Sequence, residues 1–209
     1  MLTQDIKPRE LSDSAYSDLP FDKAKQELES DNYRIISLEE NAKLRIQEGK
    51  DSFVSRNGNW VREAFVYDPK TNLWYLTKDS PIMENPKKAT QANRNGKEYF
   101  LTNKQLSKAL ENSVNVADRE IPTDRFNEDP LTVYAFGETA QDYGLFLKDA
   151  NISEMPIWLP NDSSEKSYTR PLWFRNLDSR SDLDGDNRSL RYDYRMRGVR
   201  PQNFSSGNK

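Results

Sequence analysis

Residues 170–200 read RPLWFRNLDSRSDLDGDNRSLRYDYRMRGVR, and their composition is unlike the rest of the 209-residue chain. The window holds 8 of the 16 Arg residues but none of the 15 Lys, 15 Glu or 7 Gln. At the average composition of the chain, about five or six of those 37 residues belong in a window of this length. Surface chemistry does not explain the gap, because an exposed face that admits Arg and Asp also admits Lys and Glu. A genetic rule does. If Asn codons ending in a pyrimidine are randomised at their adenines, the reachable set includes Asn, Asp, Ser, Arg, Tyr, Gly, Phe and Leu. It excludes Lys, Glu, Gln, Trp and Met. Trp173 and Met196 are then fixed framework, and the Arg, Asp, Asn, Ser and Tyr residues between them are candidate variable positions.

The centre of the window, Asp182 to Asn187, alternates carboxylates around Gly185 like part of a calcium loop. With Gly185 at the sixth position of an EF-type loop, ligands are required at its first, third, fifth and twelfth positions. These fall on Arg180, Asp182, Asp184 and Arg191, and two arginines defeat the pattern. The acids are read instead as solvated and paired with neighbouring Arg side chains. Arg and Tyr interleave in RSLRYDYRMRGVR, a pattern that suits phosphate contact and base stacking. Five Asp residues in the same window, at 178, 182, 184, 186 and 193, offset that field, so no nucleic acid is expected there.

The array from LWFRNL through LDGDNRSLRYDY to RMRGVRP resembles the variable region of proteins diversified by retroelements, in the form found in archaea and archaeal viruses. The framework positions that carry the resemblance are Leu172, Trp173, Leu177, Ser181, Leu183, Gly185, Leu190, Arg197, Gly198, Val199, Arg200 and Pro201. Such proteins build their variability onto a C-type lectin fold. The resemblance therefore implies an α+β C-type lectin fold, with two helices near 38–48 and 130–149 packed on a small irregular antiparallel sheet. It also implies a ligand-binding module whose C-terminal segment is a displayed, hypermutable face. Formylglycine-generating relatives of this lectin fold depend on cysteine, and this chain has none.

Composition narrows the remaining function classes. Cys and His are both absent, which removes thiolate chemistry, disulfides, Cys-ligated zinc and the commonest general base and metal ligand. The 34 acids make chance carboxylate pairs uninformative as a glycosidase signal. No catalytic residue, cofactor or metal is expected. A formal net charge of -3 with mixed signs gives no global attraction to nucleic acid or to an anionic membrane, and any binding must come from a local surface. No apolar h-region opens the chain and no run of about 18 apolar residues occurs, so neither a signal peptide nor a membrane insertion is expected. The expected product is soluble and made in the cytoplasm, with display on a virion or cell surface open to it.

Outward from the window, residues 1–30 read as an N-terminal arm and 31–204 as the lectin-like domain, with 170–200 as its variable region. FDKAKQELES suggests a short helix within the arm. Ser37 and Glu40 form a capping box and Gly49 a stop, which predicts a helix over 38–48. Asn57-Gly58 and the turn DPKTN predict three antiparallel strands across 52–77. EYFLT reads as a strand, NKQLSKALENSV as a helix, and Asp129-Pro130 as the start of a long helix to about 149 that Gly137 and Gly144 weaken. MPIWL reads as a buried strand. All four Trp, with Phe65, Tyr67, Tyr75, Phe136 and Phe146, are expected to pack beneath the surface as scaffold.

The candidate ligand-binding residues are those off the framework between 174 and 194. They are Phe174, Asn176, Asp178, Arg180, Asp182, Asp184, Asp186, Asn187, Arg188, Arg191, Tyr192, Asp193 and Tyr194. This palette resembles antibody paratopes, where Tyr supplies rigid amphipathic area and Ser or Asn adaptable hydrogen bonds. The expected target is a protein or glycan on a cell or particle surface. The competing expectation is an undiversified structural or assembly protein that docks one fixed partner.

Overall fold

The computed structural model describes residues 3–6, 13–161, 164–178, 180–186, 190–192 and 194–200. In chain order, strands β1 (Thr3–Ile6) and β2 (Asp13–Leu19) precede helix α1 (Phe21–Ser30), strand β3 (Arg34–Ile35) and helices α2 (Leu38–Glu48) and α3 (Phe53–Arg56). The hairpin β4 (Asn59–Asp68) and β5 (Leu73–Thr77) leads to helices α4 (Pro81–Glu84) and α5 (Pro86–Arg94). Strand β6 (Tyr99–Phe100), helix α6 (Asn103–Glu111) and strands β7 (Ser113–Val116) and β8 (Arg119–Pro122) follow. Helices α7 (Pro130–Phe136) and α8 (Ala140–Asp149) then give way to β9 (Glu154–Trp158), β10 (Tyr168–Phe174), β11 (Leu183–Asp184) and β12 (Tyr194–Arg200).

The sheet runs in the order β1-β2-β12-β4-β10-β11-β9-β8, with β5 and β7 branching from β4. Strand β4 is its axis, and only Arg62 among its ten residues is exposed. Alternate side chains of a strand point to opposite faces. Val61, Phe65 and Tyr67 accordingly join the core formed with α2, α7 and α8, whereas Trp60 joins Phe21, Trp173, Leu190 and Met196 beneath α1.

Helix α2 starts where the capping box requires. Glu40 N–H donates to Ser37 Oγ at 3.2 Å, and Ser37 N–H donates to Glu40 Oε2 at 3.0 Å. The long helix expected over 130–149 is instead two helices. Gly137 sits at φ 54, and a Cβ there would lie 2.8 Å from Glu39 Oε2 of α2, so the break lets α7 and α8 both pack against α2. Three strands were expected across 52–77 and two are found. Ser52 caps the short helix α3, and Gly58 does not adopt the positive φ of a hairpin turn. Glycine is needed at 58 because Trp173 crosses it, with Nε1 only 2.6 Å from where a Cβ would stand.

Residues 13–30, expected as an arm, are part of the sheet and core. Strand β2 pairs with β12 over seven residues, from Tyr194↔Leu19 to Arg200↔Asp13, and α1 buries Phe21, Ala24 and Leu28. No helix among the described residues is long and apolar enough to cross a membrane.

Candidate functional site

The C-terminal window supplies strands β10, β11 and β12, and both β10 and β12 pair with the axial strand β4. Strand β10 ends at Phe174 beside Asn59, and β12 places Met196 beside Trp60. The loop that follows β10 and the start of β12 therefore emerge at one end of the sheet, where β4 begins.

That loop is held from below by its backbone. Arg175 N–H donates to Asp182 O at 3.0 Å, closing the loop at its neck, and Leu177 N–H donates to Ser55 O of α3 at 2.9 Å. Arg45 of α2, fully buried, reaches up to donate to Arg175 O at 2.8 Å, Ser181 Oγ at 3.2 Å and Tyr143 Oη at 2.9 Å. Its guanidinium also covers the ring of Phe174.

The framework positions of the window go inward. Leu172, Trp173, Ser181, Leu183, Gly185, Leu190, Arg197, Gly198 and Val199 are buried, Leu177 and Arg200 are half-buried, and Pro201 lies outside the described residues. A Cβ at Gly185 would stand 2.4 Å from Cδ2 of the buried Phe65, so this position has no room for any other residue without a shift of the core.

The thirteen candidate binding residues divide. Asp178, Arg180, Arg191 and Tyr192 are exposed, and Asn176, Asp186 and Tyr194 are half-buried. Asn187, Arg188 and Asp193 lie outside the described residues. Phe174, Asp182 and Asp184 are buried, which corrects the expectation that they are displayed. Phe174 packs against Phe136 and Tyr143 at ring-centre distances of 5.8 Å each. The two acids face Arg175, whose Nε lies 3.0 Å from Asp182 Oδ1 and whose Nη2 lies 3.2 Å from Asp184 Oδ2. The first contact is an ion pair without hydrogen-bond alignment, whereas in the second Arg175 Nη2 also donates a hydrogen bond to Asp184 Oδ2.

Asp182 also accepts from Trp158 Nε1 at 3.2 Å, and Asp184 accepts from Asp186 N–H at 3.0 Å. Burial pushes the Asp182 carboxyl above its ordinary range and the neighbouring Asp184 adds to that, while Arg175 and the Trp158 N–H pull it back. The carboxylates of Asp182 and Asp184 thus fasten the loop to Trp158 of β9 and to Arg175. Among the described residues no group of three acids is arranged to hold a metal ion.

Sequence reasoning missed a fixed aromatic. Trp158, expected in the scaffold, is 40 % exposed. Strand alternation accounts for it, since Ile157 enters the core and the next residue must face the other way. Its indole is pinned by the Asp182 hydrogen bond, and Arg180 lies over its ring at 5.9 Å. Farther along the window Tyr192 is 51 % exposed, with Arg191 over its ring at 4.9 Å and donating to its Oη at 3.0 Å. Tyr194 anchors this corner by packing on Trp60 and Trp173, with ring centres 5.6 Å apart in both pairs. Exposed Arg, Tyr and Trp side chains held on a rigid base are the residue types that dominate binding hot spots.

This is the C-type lectin fold. A solved structure described as "Accommodation of massive sequence variation in Nanoarchaeota by the C-type lectin fold" matches 93% of this chain and 99% of its own, with a TM-score of 0.66 and 17% sequence identity. No protein-family model matches the chain, and no curated protein matches it.

Proposed function

We propose that this chain is a non-enzymatic ligand-binding protein whose C-terminal region, diversified by a retroelement, displays a paratope-like surface for a macromolecular target on a cell or particle. The observation that carries this reading is the match between composition and burial within one window. The apolar framework of residues 172–199 is interior or half-buried, while Asp178, Arg180, Arg191 and Tyr192 are exposed, with Arg180 over the ring of the exposed Trp158. A surface of that kind exchanges its polar side chains at little cost to the fold, because exposed substitutions typically change stability by less than about 0.5 kcal/mol. The Nanoarchaeota protein of similar fold, described as accommodating massive sequence variation, supports the same reading.

The decisive experiment is to sequence the DNA flanking the gene. The reading expects a near-copy of the segment encoding residues 170–200 that differs from it only where the copy carries adenine, together with a reverse transcriptase gene. A locus without either leaves an assembly protein with one fixed partner as the better account.

A further inference from the structure

The molecule carries two oppositely charged faces outside the variable window. Between residues 87 and 108 there are six cations and one acid, in a chain whose net charge is -3. The cations, among them Lys87, Lys88, Lys97 and Lys104, are all exposed on α5, α6 and the turn between them. Strand β6 lies between the two helices: α5 packs on it, and Gln105 Nε2 of α6 donates to Tyr99 Oη of β6 at 3.0 Å. In the middle of this stretch Phe100 is 45 % exposed.

Residues 118–154 have the reverse character, with nine acids against three cations. On α8 the exposed positions 141, 142, 145, 148 and 149 fall on one helix face, at the i, i+4 and i+7 spacing of neighbours. At the centre of that face Leu145 is 55 % exposed, flanked by Asp142 and Asp149 and by the single cation Lys148. Asp124 and Glu128, both exposed, belong to the segment on which α8 packs, and on α7 Val133 is 45 % exposed.

We propose that these faces bind each other between copies of this chain, the α5–α6 face of one copy docking on the α7–α8 face of the next. This proposal is independent of the ligand-binding reading, because neither face includes a residue of the variable window. Charge complementarity sets the orientation and speeds encounter, and the exposed Phe100 on one side and Leu145 and Val133 on the other supply apolar contact. A phosphate polymer fits the basic face alone and leaves the apolar, acidic face without a role. Because the two docking surfaces differ, each added copy leaves one face of each kind open, so the contact either closes a ring or grows into a chain.

The test is sedimentation of the full-length protein across a concentration series, since a charge-driven contact must weaken as salt shortens the Debye length from about 14 Å at 50 mM to about 4 Å at 0.5 M. At the lower salt the average mass should rise above that of the 24.4 kDa chain as concentration increases, and at the higher salt it should return to a single chain. The variants Lys97→Glu/Lys104→Glu and Asp142→Lys/Asp149→Lys should each remain single chains. Mixed together they should associate again, since one then offers two acidic faces and the other two basic ones. If a charge-reversed protein melts early, the neutral pairs Lys97→Gln/Lys104→Gln and Asp142→Asn/Asp149→Asn serve in its place, with association reduced at least tenfold. A single-chain mass at low salt at every concentration overturns the proposal, as does association that both variants leave unchanged. It also falls if the wild type stays a single chain and binds a mixed-sequence single-stranded oligonucleotide in a manner that Lys97→Glu/Lys104→Glu abolishes.

Discussion

The guanidinium carbon of Arg45 lies 3.8 Å from the centre of the Phe174 ring. A fully buried charge thus meets an aromatic face, two hydroxyls and a backbone carbonyl, and no ion pair with a carboxylate among the described residues. Its position is explained by what it joins: helix α2, helix α8 through Tyr143, and the neck of the loop at 175 and 181. The displayed loop therefore rises from a fixed base.

Arg45→Ala should destabilise the protein by about 3 kcal/mol, because it opens a cavity and leaves the Arg175 carbonyl without its partner. Arg45→Met should cost less, since it fills most of the volume and Tyr143 and Ser181 already lie 3.0 Å apart and bond each other. Thermal or urea melts of the two variants give the comparison. Equal losses would show that the polar contacts, and not the volume, set the cost.

Gly185→Ala should lose about 1–3 kcal/mol, the usual cost of overpacking, as its new methyl group meets Phe65. Arg180→Ala and Tyr192→Ala, five and seven residues away in sequence, should stay within about 0.5 kcal/mol. The same melts measure all three, and a Tyr192→Ala loss as large as that of Gly185→Ala would count against Tyr192 as a displayed residue.

Asp182→Ala should cost about 1–3 kcal/mol by removing the acceptor of the Trp158 N–H and the closest partner of Arg175. Exposed Asp178→Ala should be close to neutral. Tryptophan fluorescence provides a second readout, because Asp182→Ala frees the Trp158 ring to move into water and should redden its emission.

Glu63 dictates a pH dependence with a definite sign. Its carboxyl is buried beneath the first turn of α2, where Oε2 accepts from Leu38 N–H at 3.0 Å and Oε1 has no hydrogen-bond partner among the described residues. Burial pushes it from 4.5 up to about 7, with Arg62 and Lys78 opposing. Between pH 4.5 and about 7 the folded chain holds a proton that the unfolded chain has released. Stability from this group is therefore fully present below 4.5 and falls by about 3 kcal/mol as pH rises to 7. Glu63→Gln keeps an acceptor for Leu38 and should match the wild type at low pH but exceed it by that amount at pH 8. Parallel stability curves for the two proteins would sink the assignment.

Local signals in the sequence predicted what local physics controls. The capping box at Ser37 and Glu40 and the stop at Gly49 bound α2 as expected, because caps satisfy backbone groups within one turn. Asn57-Gly58 misled because its glycine answers to Trp173, more than 100 residues away, and not to a turn. Gly137 was legible as a weak point in a helix but not as a break, since the contact with Glu39 that requires it is also distant. In the candidate surface, residue type matched the burial of the apolar framework, and four of the thirteen candidate positions are exposed. It failed at Phe174, which packs on Phe136 and Tyr143, at Asp182 and Asp184, which are buried facing Arg175, and at Trp158, whose exposure depends on strand parity. An Asp carries no mark in its own letter of whether an arginine waits beside it.

The packing at Gly185 has a consequence at the level of the codon. Glycine is written GGN, so adenine occurs only in the third base, where any change is silent. A mutator confined to adenines would therefore pass over the one residue of the loop that Phe65 leaves no space to alter. Trp173, encoded by TGG, and Val199, encoded by GTN, share that immunity. Asp182 and Asp184 do not, and selection rather than codon choice would have to preserve them, acting on copies of the chain made less stable by the loss of either acid.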